Sequence, residues 1–247
     1  MRSYLNVEYK NGLDMNIFLP DENEFSLLVY IHGGGITAGT NGGCEVFAET
    51  LCKQGIGVAT INYRLYPEAK YPEFIEDSAD AIAWAFKNIG KYGKCDKIYA
   101  GGSSAGGYIS MMLQFDKKYL QKHGIDPLDL AGYVHDAGQP TSHFNVIQKE
   151  LGVDGKRVII DEMAPLYHIG LAEKYSPMLI IVSDQDMENR YEQTQLVIST
   201  LKHFGHVDNV HYKLMHGTHC AYVYRKDEDG EGAFGKLVAE FVKKVEA

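Results

Sequence analysis

The sequence predicts an α/β fold in which a mostly parallel central sheet carries helices on both faces. Short apolar runs recur along the chain and are nearly continuous, as expected for strands covered on both faces; they lie at residues 27–31, 58–61, 98–100 and 178–182. Between them, apolar residues at spacings of three and four predict helices over residues 74–89, 191–204 and 234–245. Strand and helix therefore alternate along most of the chain, which is the order that a parallel sheet requires.

The first twenty residues depart from this alternation. The pair Asn11-Gly12 is favoured in tight turns, and it stands between the strand-like residues 5–9 and 15–18. We therefore expect an antiparallel hairpin on one edge of the sheet.

The composition is that of an ordinary globular domain. With 247 residues, 45% of them hydrophobic and 23% charged, and with no repeat or linker, the chain is expected to form one domain over residues 1–247. Lys and Arg number 24 against 33 Asp and Glu, a net charge of −9 without a basic run, so neither nucleic acid nor a membrane is expected as a partner. The chain starts without an apolar signal segment and contains no run of 18 apolar residues, so we expect a cytoplasmic protein.

A glycine-rich turn follows the apolar run at 98–100. Gly102-x-Ser104-x-Gly106 has the spacing of a nucleophile elbow, in which small neighbours let the backbone turn sharply and expose the serine hydroxyl. The phosphate-binding patterns GxGxxG and GK[ST] are absent from this turn. We therefore predict Ser104 to be a catalytic nucleophile.

A second glycine-rich loop, His32-Gly33-Gly34-Gly35, follows the apolar run at 27–31. Consecutive glycines expose backbone N–H groups and allow a ligand to approach the backbone closely. We predict that the N–H groups of Gly34, Gly35 and Ala105 form an oxyanion hole, with Ala105 following the nucleophile directly.

A serine hydroxyl needs a base, and an imidazole base needs a carboxylate that fixes its tautomer. Asp184 and Asp186 follow the apolar run at 178–182, and His216 and His219 follow residues 210–215. The chain order Ser, Asp, His suits this kind of sheet, but both carboxylates and both histidines stay open as choices. A zinc site on His216-x-x-His219 lacks a third ligand at a recognised spacing, so we expect neither a metal nor any other cofactor.

Together these motifs resemble those of serine esterases of the α/β-hydrolase superfamily, close to the hormone-sensitive-lipase-like and carbohydrate-esterase-like carboxylesterases. The similarity runs from about residue 27 to the C-terminus and is carried by His32-Gly33-Gly34-Gly35, residues 62–68, Gly102-Ser103-Ser104-Ala105-Gly106-Gly107, residues 164–168, Ser183-Asp184-Gln185-Asp186 and His216-Gly217-Thr218-His219. The resemblance implies Asp186 as the acid and His219 as the base.

Many esterases of this kind carry a helical cap ahead of the glycine-rich loop, but only 31 residues precede His32 here and the predicted hairpin uses most of them. We expect little or no cap, a small lid within residues 138–177 that includes a helix over 144–151, and substrate contacts from Tyr66 and Tyr108. An open site of this kind suits short acyl groups, acetyl above all, on a small-molecule or oligosaccharide alcohol. Such a site also makes a homodimer an expectation.

Two other functions stay open at this point. The same apparatus cleaves amides, so an amidase or arylformamidase-like hydrolase is one alternative. A non-catalytic ligand receptor on a hydrolase scaffold is the other, since a fold does not dictate its function.

Overall fold

Eight strands form one sheet in the computed structural model, which describes residues 1–247. The strands are β1 (Arg2–Lys10), β2 (Leu13–Leu19), β3 (Glu24–Ile31), β4 (Ile56–Ile61), β5 (Lys94–Ser103), β6 (Gly132–Asp136), β7 (Met178–Gln185) and β8 (Val210–Thr218). Their order across the sheet is β1-β2-β4-β3-β5-β6-β7-β8. Strand β2 alone runs opposite to the other seven strands, so the predicted mostly parallel sheet with an N-terminal hairpin is confirmed.

Helices cover both faces of this sheet. They are α1 (Glu45–Cys52), α2 (Glu73–Asn88), α3 (Ala105–Phe115), α4 (Lys118–Gln121), α5 (Phe144–Leu151), α6 (Pro165–His168), α7 (Arg190–His203) and α8 (Ala233–Glu246), with single 3-10 turns at Ile89–Lys91, Pro127–Asp129 and Val207–Asn209. Side chains of β3 alternate between the two faces: Val29 joins the core under α2, α3 and α7, whereas Leu28 joins the core under α1 and α8. No helix is both long enough and apolar enough to cross a membrane.

The hairpin forms where the Asn11-Gly12 pair predicts it. Gly12 has a φ of +77°, which a glycine adopts without a steric penalty, and Lys10 pairs with Leu13 across the turn. Strand β2 then pairs with β4, with Asn16 opposite Thr60, and this pairing attaches the hairpin to the parallel part of the sheet.

The parallel strands bring their carboxyl ends to one edge of the sheet. Ile31 of β3 is level with Gly102 of β5, Ser103 is level with Asp136 of β6, and Gln185 of β7 is level with Thr218 of β8. The loops that follow these strands carry the glycine-rich loop, the nucleophile elbow and the aspartate and histidine pairs. The sheet therefore places all of them at the edge where open α/β sheets bind ligands.

Residues 138–177 connect β6 to β7 and contain α5 and α6. Helix α5 begins after His143, whose side chain accepts the N–H of Asn145, and it ends at Gly152 with a φ of +64°. The predicted helix over 144–151 therefore forms. Its Asn145 side chain reaches the glycine-rich loop, so this segment lies next to the nucleophile.

Candidate active site

The turn between β5 and α3 holds Ser104 in a strained conformation, with a φ of +57° and a ψ of −115°. A Cβ atom on Gly106 would lie 1.9 Å from the carbonyl oxygen of Ile31, and one on Gly102 would lie 2.5 Å from the same oxygen. Only glycine therefore fits at both positions while the turn packs against the end of β3. This close packing explains the Gly-x-Ser-x-Gly spacing and presents the Ser104 hydroxyl above the sheet.

Ser104, His219 and Asp186 form one chain of hydrogen bonds. The Ser104 Oγ lies 2.8 Å from His219 Nε2, and His219 Nδ1 lies 2.5 Å from Asp186 Oδ1. The imidazole is 23% exposed, whereas the Asp186 side chain is fully buried. A carboxylate on Nδ1 leaves Nε2 free to accept the serine proton, which is the arrangement that activates a hydroxyl.

The surroundings of Asp186 keep its carboxylate ionised. Burial raises the pKa of this group. The contact with His219 and the backbone N–H groups of Met187 and Ser183 lower the pKa by more than burial raises it, so it lies below its ordinary value. The Met187 N–H donates to Oδ1 over 2.7 Å, and the Ser183 N–H donates to Oδ2 over 3.2 Å. These bonds hold the carboxylate in place beside His219.

The alternative pair, Asp184 and His216, forms a separate contact. Asp184 Oδ2 lies 2.6 Å from His216 Nδ1, and Asp184 Oδ1 accepts the N–H of Gly217 over 2.9 Å. His216 is 84% exposed, and neither residue lines the hollow above Ser104. Each histidine therefore contacts a different aspartate, and only His219, paired with Asp186, contacts Ser104.

The glycine-rich loop turns its backbone toward Ser104. Gly34 and Gly35 have φ values of +105° and +64°, and their N–H groups donate no hydrogen bond within the protein. Ala105 is the first residue of α3, where N–H groups have no partner inside the helix. All three predicted donors are thus free to bind an anionic oxygen.

Two side chains support this loop. His32 stacks on Tyr63 at 4.4 Å between ring centres, and its Nδ1–H donates to the carbonyl of Gly33 over 2.6 Å. From the other side, the Asn145 amide of α5 donates to the carbonyl of Gly35 over 2.6 Å. Asn145 gives no signal in the sequence, because this contact depends on how residues 138–177 fold over the sheet.

A hollow of about 720 Å³ opens above Ser104. It is lined by glycines and threonines of residues 33–43 and by Phe144, Met187, Cys220 and Tyr224. None of these four was predicted as a site residue. Met187 follows Asp186 directly and Cys220 follows His219, so their adjacency to the predicted triad was the available signal.

The structure places Tyr66 and Tyr108 elsewhere. Neither lines the hollow above Ser104. Tyr108 is fully buried and its hydroxyl donates to the carbonyl of Met163, while the Tyr66 hydroxyl donates to Glu150. Both rings are used in internal packing, because their positions on α3 and after β4 point them under residues 138–177 and not into the hollow.

A buried carboxyl lies beneath the nucleophile. Asp136, at the end of β6, accepts hydrogen bonds from the Ser103 hydroxyl over 2.5 Å and from the Tyr222 hydroxyl, and its carbonyl accepts the N–H of Ser104 over 2.8 Å. Burial raises its pKa to about 6, although the two hydroxyls act in the opposite direction. Asp136 thus ties the elbow of Ser104 to the loop that carries His219.

Comparison with known proteins supports the esterase resemblance. The family model described as BD-FAE matches residues 15–152. An AB hydrolase superfamily protein of Schizosaccharomyces pombe is 34% identical over 109 residues, covering 42% of this chain and 32% of that protein. Mouse hormone-sensitive lipase is 36% identical over 86 residues, covering 34% of this chain and 11% of the lipase.

Among solved structures, a thermophilic esterase of Thermogutta terrifontis superposes with a TM-score of 0.76 at 19% identity, covering 99% of this chain and 91% of that one. This likeness establishes the α/β-hydrolase fold. The chain spans a third or less of the length of the curated relatives named above.

Proposed function

This chain belongs to the BD-FAE family of α/β-hydrolase proteins, and on that basis we propose that it is a serine carboxylesterase acting on short-chain acyl esters, acetyl esters first. The observation that carries the proposal is the contact of Ser104 Oγ with His219 Nε2 at 2.8 Å, backed by the buried Asp186. Hydroxyl, imidazole and carboxylate in this order are the groups that acyl transfer requires.

In the proposed first step, Ser104 Oγ attacks the ester carbonyl carbon while His219 Nε2 takes its proton. Asp186 holds the imidazole in the required tautomer and stabilises its charged form. The carbonyl oxygen becomes an anion that the N–H groups of Gly34, Gly35 and Ala105 bind. The bond to the alcohol oxygen then breaks, and the alcohol leaves with the proton from His219.

The second step returns the enzyme to its starting state. Water loses a proton to His219 and adds to the carbonyl carbon of the acyl-Ser104. The bond between that carbon and Ser104 Oγ breaks, Oγ recovers the proton from His219, and the carboxylic acid is released. These steps use only groups of the chain and water.

We further propose that the alcohol part of the ester is polar, as in an acetylated carbohydrate. The hollow above Ser104 is lined by Thr37, Thr40 and Asn145 together with exposed glycine backbone. The threonine hydroxyls and the glycine backbone offer hydrogen bonds to hydroxyl groups of the alcohol, beside apolar wall from Phe144, Met187 and Tyr224 that can hold a short acyl group. An alcohol rich in hydroxyls suits them better than a fatty acid does.

The test compares Ser104→Ala with Ser199→Ala, a substitution of an exposed serine on α7. We expect Ser104→Ala to lose labelling by a fluorophosphonate and nearly all hydrolysis of 4-nitrophenyl acetate, and Ser199→Ala to keep both. Undiminished turnover by Ser104→Ala would overturn the assignment.

A substrate panel tests the finer proposal. We expect acetyl esters to be cleaved faster than butyryl and palmitoyl esters, and acetate to be released from acetylated oligosaccharides. Faster cleavage of palmitoyl esters would overturn the preference for short acyl groups, and faster cleavage of formanilides than of acetates would favour an amidase.

A further inference from the structure

A second hollow, of about 490 Å³, adjoins the hollow above Ser104. Phe144 and Met187 line both hollows, so these two side chains lie between the two spaces. To reach the second space, a substrate whose ester carbonyl lies at Ser104 has to extend past Phe144 and Met187. The chemistry of that space then bears on which substrates are accepted.

Arg190, the first residue of α7, lies in the wall of the second hollow and is only 5% exposed. Its guanidinium donates to the carbonyl of Ala137 over 2.7 Å and to Gln139 Oε1 over 3.5 Å, and it takes part in none of the ion pairs of the chain. Burial lowers its pKa to about 10, partly offset by the charge of Asp186. A buried guanidinium without a contacting carboxylate is costly, and most of its five N–H donors are unused.

Two further cations line the same hollow. Lys156 and Arg157 are exposed, and neither forms an ion pair with an acidic side chain of the protein. The acidic lining residues are Asp154, whose Oδ1 accepts the N–H of Lys156 over 3.0 Å, and Glu188. Three cations against two carboxylates leave the lining one unit positive, in a chain whose net charge is −9.

The backbone adds to this positive potential. Helix α7 has 14 residues and begins at the hollow, and its N-cap residue Asn189 makes no side-chain cap to the free N–H groups of the first turn. The N-terminus of a helix carries a partial positive charge that favours a nearby anion. The buried guanidinium, the two unpaired surface cations and the helix end thus converge on one space.

We propose that the second hollow binds a carboxylate substituent of the ester substrate, so that the enzyme prefers esters whose alcohol or acyl part carries an acid group. Lys156 and Arg157 contact the carboxylate, and Arg190 stabilises it from the wall of the hollow. This inference rests on the proposed esterase function and names the class of substrate that the site selects.

The experiment uses two matched pairs of esters. On the alcohol side, 4-acetoxybenzoate is compared with the neutral 4-acetoxybenzamide; on the acyl side, mono-4-nitrophenyl glutarate is compared with 4-nitrophenyl valerate, all corrected for spontaneous hydrolysis. The measured quantity is the ratio of kcat/KM for the charged ester to kcat/KM for the neutral ester. We expect a ratio clearly above one in the arm that places its carboxylate in the second hollow.

The double variant Lys156→Gln/Arg157→Gln should lower that ratio by about fivefold or more, because two charge-assisted hydrogen bonds are lost. The matched control is Lys202→Gln, which removes one exposed, unpaired cation near the other end of α7 and should leave the ratio unchanged. The ratio of the unmodified enzyme should also shrink at high salt, since exposed charges are screened.

The proposal is overturned if the unmodified enzyme shows no preference for the charged ester in either arm, or if the double variant keeps the preference intact. Titration of Ser104→Ala with 4-acetoxybenzoate and 4-acetoxybenzamide measures the same selectivity without turnover. If the protein binds the charged ester in preference but hydrolyses none of the esters, the esterase function is contradicted and the carboxylate site is supported. If the protein hydrolyses the esters without a preference for the charged ones, the carboxylate site is contradicted and the esterase function is supported.

Discussion

His219 Nδ1 lies 2.5 Å from Asp186 Oδ1, although 33 positions separate the two residues in the chain. Asp184, only two residues from Asp186, makes its contact with His216 instead. Strands β7 and β8 are parallel neighbours, and the loops after them meet at the same edge of the sheet. Two similar pairs therefore form side by side, and only one of them reaches Ser104.

This pairing separates the roles of the two carboxylates. We expect Asp186→Asn to lower kcat/KM by about 10³-fold or more, because an amide cannot hold the imidazole in the required tautomer and stabilise its charge. Asp184→Asn is the matched control, and its kcat/KM for 4-nitrophenyl acetate should stay within about threefold of the unmodified value, as for an exposed surface pair. A larger loss in Asp184→Asn than in Asp186→Asn would contradict the assignment.

The close packing of the elbow predicts a loss of both stability and activity in Gly106→Ala. The added Cβ would lie 1.9 Å from the carbonyl oxygen of Ile31, so the turn or the end of β3 has to move. We expect the free energy of unfolding, measured with urea, to fall by about 1–3 kcal/mol, together with a loss of turnover. Gly90→Ala is the control, since a Cβ at that position meets no atom within 4 Å and the backbone there does not have a positive φ. Equal stability of the two variants would contradict the prediction.

The contact from α5 to the glycine-rich loop predicts a role for Asn145 in positioning the oxyanion donors. Asn145→Ala removes the hydrogen bond to the Gly35 carbonyl and should lower kcat about tenfold with little change in KM, because the loop loses its fixed orientation. Lys149→Ala, an exposed change on the same helix, should have no such effect. Urea unfolding of both variants checks that the fold is kept, and a change confined to KM would argue for direct substrate binding by Asn145.

The raised pKa of Asp136 makes stability depend on pH. Its pKa moves from 3.8 to about 6, so between these values the folded protein holds a proton that the unfolded chain has released. The contribution of this group to the free energy of unfolding therefore falls as the pH rises through that window, by up to about 3 kcal/mol. Asp136→Asn should remove this decline. We therefore expect the free energy of unfolding to fall less between pH 4.5 and pH 7 in this variant than in the unmodified protein.

The control for this comparison is Asp208→Asn, because Asp208 is exposed and forms no ion pair or side-chain hydrogen bond. The pH dependence of that variant should follow the unmodified protein. If Asp136→Asn also follows it, the carboxyl of Asp136 is not the group responsible.

The sequence by itself determined the fold class and the position of the elbow. Continuous apolar runs, helical spacing and the Asn11-Gly12 pair are local properties of the chain. Each of them determines the structure of residues close to it in sequence. Glycine at 102 and 106 is likewise a local steric requirement, so the pattern around Ser104 was visible without coordinates.

Only the tertiary structure decided which side chains meet. From the residues alone both Asp184 and Asp186 could serve His219, since the choice depends on the register between two loops that are distant in sequence. Tyr66 and Tyr108 were expected in the site but are turned into the packing beneath residues 138–177. Asn145 and Arg190 gave no signal, because a contact across the fold, or a charge buried without an anion, exists only once separate segments have packed together.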